Sequence, residues 1–341
     1  MARRMTRTVH AALAALALVT AAATTAHATT TSSPRPSVGT LWTSDATDSG
    51  DGQSHLIGID PSTGKETARI GVGAEAEPWS IAVTRNGRTA YVANFHNGTL
   101  GIVDTSAKKM TTAVPLGIDA DYVTLSHDQK YAYVTSMVAQ QLAIVDTATK
   151  RLVKTVTLPG PAEGAAVSPD GKTVYVGVYS RHEVVALDTR TGAQRAVFSA
   201  GGPFARRVQL SPDGKQLYTT DYYGGAVDVY NTARPAQAPR KVPVGGRPLD
   251  LALSPDGRTL YVSDTRSGLA AIDTRTLKAR QFTITPSFGD LAVSRDGKAV
   301  YLAQYESAGS VSAFDAGSGE VTATFADGLA YPNGLALGRA S

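Results

Sequence analysis

The 341-residue chain contains no cysteine. This excludes disulfides, thiolate nucleophiles, iron–sulfur clusters, thioether-bound haem and a Cys-linked lipid anchor. Charge is sparse as well. Only 18% of residues are Asp, Glu, Lys or Arg, too few for a coiled coil or a basic nucleic-acid arm. The formal net charge of +4 owes most of its excess to Arg3, Arg4 and Arg7. Without them 30 basic residues face 29 acidic ones, a balance of +1. A nucleic-acid partner is therefore not expected, because phosphate binding is driven by clustered positive charge. Signatures of catalysis are missing too: no Gly-x-Ser-x-Gly and no His-Glu-x-x-His occurs. What remains is 42% apolar residues and 33 glycines, the composition of a globular protein.

The long apolar run is confined to the beginning. Arg3, Arg4 and Arg7 precede an Ala/Leu-rich stretch from Val9 to Ala23, and Ala26-His27-Ala28 follows as a small-x-small site. That order predicts a cleavable signal peptide over 1–28, export, and a released protein without a membrane anchor. Residues 29–38, rich in Thr, Ser and Pro, read as a disordered polar linker.

From there the sequence repeats. Ser-Pro-Asp-Gly stands at 168–171, 211–214 and 254–257, with relatives at 84–87, 126–129 and 294–297, spaced by 40 to 43 residues. An aromatic residue follows about four positions later: Tyr91, Tyr133, Tyr175, Tyr218, Tyr261 and Tyr301. A third marker is an apolar residue followed by Asp, at Asp60, Asp104, Asp146, Asp188, Asp273 and Asp315, with Asn231 in the remaining unit. Each unit holds four short alternating segments, the pattern of a four-stranded antiparallel blade. A blade has two apolar faces that only neighbouring blades can cover. The segment 332–337 matches a first strand and then the chain stops, whereas 40–44, 56–60 and 67–70 match second, third and fourth strands. The expectation is an all-β fold over 39–338, a seven-bladed β-propeller in which the C-terminal strand completes the N-terminal blade.

Tyr91-Val92-Ala93-Asn94, the apolar-Asp-Thr elements and Ser-Pro-Asp-Gly resemble the YVTN-repeat, YncE-like exported propellers. The resemblance implies the same fold but no single activity, since related propellers include lactonases, streptogramin lyases and surface-layer proteins.

Candidate site residues are those that break the repeat around the funnel, where the fourth-to-first and second-to-third connections meet. Arg181, Arg206, Arg207, Arg247 and Arg266 fall on three consecutive blades with Tyr179, Tyr222 and Tyr223, and Tyr305 stands on the next. Asp121, Asp250 and Asp290 stand at first-strand entrances. Arginine forks grip carboxylate or phosphate, and tyrosines supply rigid walls with a polar tip. The expected function is a non-catalytic scaffold whose funnel binds a polar anionic ligand; the alternative for these arginines is that they pair with the acids and line a wet channel. Partners would be a small polar molecule, a peptide or a protein, and the chain would be a monomer. No cofactor is expected. A lactonase- or lyase-type enzyme is the other functional reading. It would draw on His96, His182 and Glu163 for catalysis, or on Asn94, Glu163, Asp221 and Asp264 as oxygen ligands for Ca²⁺ or Mg²⁺. The Ser-x-x-Lys pairs at 62–65 and 106–109 occupy equivalent turns, so turn geometry accounts for them.

Overall fold

The computed structural model describes residues 39–46, 50–199, 205–284, 289–304, 309–325 and 328–338, all within one compact unit. Its 28 strands form seven separate four-stranded antiparallel sheets. Six blades are continuous in sequence. The first pairs Pro332–Leu337 with Leu41–Asp45, then Ser54–Ile59 and Glu66–Gly73. Leu41 lies opposite Leu337, and Trp42 opposite Ala336, so the closure expected from the orphan C-terminal segment is present.

The repeat markers have distinct jobs. In the Ser-Pro-Asp-Gly turn at 168–171, the Ser168 hydroxyl donates to Asp170 Oδ1 at 2.6 Å and accepts from the Thr173 amide at 2.9 Å. Gly171 takes φ 70°, a conformation that strains side-chain-bearing residues. The turn thus closes on itself, and the same bonds recur at 211–216, 254–259 and 294–299. In the Asp-Thr turns the carboxylate accepts local amides, as Asp188 does from Arg190 and Thr191. The threonine reaches sideways: Thr189 donates to the Gly171 carbonyl at 2.8 Å, stapling one turn of the blade to the other. Thr105, Thr147, Thr232 and Thr274 repeat the staple.

Burial closes the ring. The described residues form seven apolar clusters, and each draws on two adjacent blades, so there is one cluster per interface. The marker tyrosines 91, 133, 175, 218, 261 and 301 are all buried in these layers. The first strands touch one another in an unbroken circle, from Pro78–Val83 round to Pro332–Leu337, and make the hub. Strand direction then puts the Ser-Pro-Asp-Gly and Asp-Thr turns on one rim and the remaining connections on the funnel rim.

Candidate functional site at the hub and funnel

The first strands are not regular where they face the hub. Register slips between Ala162 and Ala165, Ala205 and Val208, and Pro248 and Leu251. Two residues therefore bulge opposite one: Glu163-Gly164, Arg206-Arg207 and Leu249-Asp250. A bulge re-aims side chains, and here it supplies charged groups to the hub. The bulged amides are held by hydroxyls of the neighbouring strand. Arg207 N–H donates to Thr220 Oγ1 at 3.1 Å, and Asp250 N–H donates to Ser263 Oγ at 3.0 Å. Gly164 allows close approach, because a Cβ there would stand 2.7 Å from the Arg206 carbonyl and 2.8 Å from Arg207 Cα.

Arg207 is the centre of the arrangement. Its Nη2 donates to Asp290 Oδ1 at 2.7 Å, and Nη1 and Nε lie 3.4 Å from Glu163 Oε1 and Asp250 Oδ1. Its guanidinium sits 4.6 Å from the centre of the Tyr122 ring. One buried arginine thus joins elements of five consecutive blades. Arg206 is paired too, with Nε 2.5 Å from Glu163 Oε2. Of the sequence-expected anion grips, then, these two are turned toward the hub's own acids. Asp121 adds a fourth carboxyl nearby; its Oδ2 accepts from the Met137 amide at 2.6 Å.

Four carboxyls and two guanidiniums leave an acidic excess in a buried place. Burial lifts the Asp250 carboxyl to about 7, helped by repulsion from Asp290 and opposed by Arg207. Burial likewise raises Asp121 and Asp290. For Arg207 burial works against the charge, but Asp290, Glu163 and Asp250 outweigh it and hold the guanidinium protonated. Burial raises the Tyr122 hydroxyl.

The rim differs. Arg247 lies 5.6 Å from the Tyr222 ring centre and 5.5 Å from that of Tyr223, and the two rings meet edge-on at 5.0 Å. Among the described residues no carboxylate pairs with Arg247, and Tyr223 is 48% exposed. Arg206 approaches Tyr222 from the hub side at 6.0 Å. Tyr179 stands half-buried, its hydroxyl raised by burial and by Glu163. Arg181 and Arg266 are exposed further along the rim; Arg181 Nη1 donates to the Pro159 carbonyl at 3.5 Å. Tyr305 lies outside the described residues.

The candidates for catalysis and metal binding are not brought together. His96 Nε2 is 3.7 Å from Glu75 Oε2, but that carboxylate is 85% exposed and the pair stands in solvent. His182 closes a short 3₁₀ turn at Tyr179–Arg181. Asn94, Asp221 and Asp264 occupy matching strand ends in different blades, each tied locally. Asn94 Nδ2 donates to Thr99 Oγ1 at 3.1 Å, Asp221 Oδ2 accepts from Lys241 Nζ at 2.9 Å, and Asp264 Oδ1 accepts the Arg266 and Ser267 amides at 2.7 Å. Among the described residues no three His, Cys, Asp or Glu gather into a group that could hold a metal ion.

Residue-by-residue reading of the sequence missed Tyr122, Thr220, Ser263 and Lys241. The signal for the hydroxyls was present: Ser44-Asp45, Thr220-Asp221 and Ser263-Asp264 stand at one repeat position, and Ser44 Oγ likewise accepts the Gly334 amide at 2.9 Å.

Fold and hub define the class: a seven-bladed β-propeller with a charged, arginine-centred hub. A family model described as outer membrane protein assembly factor BamB matches residues 120–325, more than half of the chain, and the chain belongs to that β-propeller family. A second model, the cytochrome D1 heme domain, matches residues 45–163. Of the histidines in that stretch, His55 Nε2 lies 2.9 Å from Asp51 Oδ2, His96 faces exposed Glu75, and His127 lies in a turn on the far rim. A search of curated proteins returns no match. Solved structures of similar fold include a functionally unknown protein from Desulfotomaculum acetoxidans (16% identity, TM-score 0.75, 88% of this chain and 99% of that one). A putative 6-phosphogluconolactonase from Bacteroides fragilis is also similar (14%, 0.71, 89% and 98%), as is hydrazine synthase from Kuenenia stuttgartiensis (20%, 0.63, 70% and 77%). At these identities the likeness is one of fold.

Proposed function

We propose that this protein is a non-catalytic binding propeller of the YVTN-repeat, YncE-like kind, whose funnel rim takes a polar ligand by an anionic group. The observation that carries the reading is Arg247, held against Tyr222 and Tyr223 without a carboxylate partner among the described residues. A guanidinium so placed keeps its fork for a carboxylate or phosphate, while the exposed Tyr223 face covers the rest of the ligand. Arg206 and Arg207 serve instead to fix the hub on which the rim stands. The reading needs no metal and no covalent step.

A thermal-shift screen with gluconate, glucuronate, inorganic phosphate and an acidic peptide, each with EDTA, tests it. At least one probe should raise the melting temperature of the parent protein, and Arg247→Ala should abolish that shift while leaving the unliganded melting temperature within a degree or so (roughly the ±0.5 kcal/mol of a surface change). An undiminished shift in Arg247→Ala would refute the site.

Export belongs to the same proposal, supported by the basic, apolar and small-x-small order of residues 1–28. Protein recovered from the culture medium of an expressing bacterium should begin at Thr29 on N-terminal sequencing. Recovery from the cells alone, with Met1 intact, would count against it.

A further inference from the structure

The balance of +1 that remains without Arg3, Arg4 and Arg7 conceals a separation of charge along the propeller axis. The connections between first and second and between third and fourth strands all emerge on the rim opposite the funnel. Within them stand fifteen Lys and Arg against seven Asp and Glu, and all fifteen cations are exposed. Six occupy one repeat position, the last residue of the first turn in each continuous blade: Arg88, Lys130, Lys172, Lys215, Arg258 and Lys298. The five strand-end aspartates beside the turns reduce the excess without reversing it. The described funnel-side connections carry the opposite bias, three Arg against six Asp and Glu.

The acids on the cationic rim are drawn inward. Asp128, Asp170, Asp213, Asp256 and Asp296 each spend Oδ1 on a serine hydroxyl and a backbone amide of their own turn. Lys130, Lys215 and Arg258 face the second oxygen of these acids at 3.5, 3.4 and 3.9 Å, yet 74%, 82% and 86% of their side chains remain exposed. Their distribution is a ring around the whole circumference and not a stripe or groove, so it matches a flat anionic surface better than a linear polymer. Strand Leu41–Asp45 also starts on this rim, where the Thr40 carbonyl accepts the Gly338 amide at 2.9 Å.

We propose that this rim docks the propeller on an anionic lipid bilayer, leaving the funnel facing solution. Among the described residues of these turns no large apolar side chain is exposed, and only Tyr131 and Val321 stand out at the strand starts beside them, so attachment is electrostatic and reversible. The full chain, mixed with vesicles of phosphatidylcholine alone or with an equal part of phosphatidylglycerol, should co-sediment about tenfold more with the anionic vesicles at roughly 0.05 M salt, and the difference should vanish near 0.5 M. Changing Arg88, Lys130, Lys172, Lys215, Arg258 and Lys298 to Glu should abolish co-sedimentation, whereas Arg181→Glu with Arg266→Glu on the funnel side should not. In the unaltered protein, anionic vesicles should protect Lys130, Lys172 and Lys215 from acetylation, a readout that does not depend on the variant folding. Equal binding to both vesicles, or acetylation of those lysines unchanged by vesicles, would overturn the proposal. So would retention on heparin without any binding to vesicles, which would assign the rim to an anionic polymer.

Discussion

Arg207→Leu should lower the unfolding free energy by about 3–5 kcal/mol, the usual cost of removing one partner from a buried ionic cluster. The loss comes less from the contacts themselves than from what stays behind. Glu163, Asp250 and Asp290 would remain buried around an apolar side chain, with Arg206 as the remaining nearby cation. Because Arg207 joins five blades, the loss should appear as a shift of the whole denaturant transition and not as fraying of one blade. The remaining acids can escape their repulsion by taking up protons, so the deficit should shrink at pH 5 relative to pH 8. Urea unfolding at both pH values measures this. A loss below about 1 kcal/mol at pH 8, the range of an exposed ion pair, would mean that the cluster is far better hydrated than its burial indicates.

The architecture was legible in the sequence because each repeat marker satisfies a local need. Ser-x-Asp-Gly completes its own turn, the marker tyrosine fills an interface, and the unmatched segment at 332–337 had one edge left to pair. The site was legible only as a set of residues. The arginines, tyrosines and acids at the strand entrances were all visible, and so was the possibility that the charges pair. What the letters could not show was which arginine spends its charge inward. That choice depends on bulges that turn Arg207 toward Asp290 while Arg247 stays on the rim against Tyr222. It is set by register across strands, which neighbouring residues do not encode. The charge separation between the rims was present in the turns all along. A single net charge hid it, because that sum discards position.

The hub also dictates how stability should change with pH, and in a direction opposite to that of most carboxylates. The folded-state pKa of Asp250 lies near 7 against an ordinary 3.8, so the folded protein binds this proton more tightly than the unfolded chain does. Its favourable contribution is complete below the ordinary value and is lost as pH rises through about 7. Asp121 and Asp290, also raised by burial, act with the same sign. The turn aspartates oppose them at the acid end. Hydroxyl and amide donors hold Asp128, Asp170, Asp213, Asp256 and Asp296 below the ordinary range, so their contribution is present above 3.8 and disappears as pH falls further. Together the two sets predict a stability maximum near pH 4 (roughly, at the ordinary carboxylate value that bounds both titration ranges). Above it, stability should decline with a slope approaching ~1.4 kcal/mol per pH unit for each proton the folded state still holds, and the Asp250 part should level off once pH passes about 7. Asp250→Asn, which keeps an oxygen for the Leu291 amide that now donates to Oδ2 at 2.9 Å, should flatten that alkaline limb while leaving the acid limb in place. Denaturant midpoints from about pH 2.5 to 8 for the two proteins decide the matter. Parallel curves would show that the carboxyl at 250 stays ionised throughout, and that Arg207 compensates it more fully than the burial of the pair suggests.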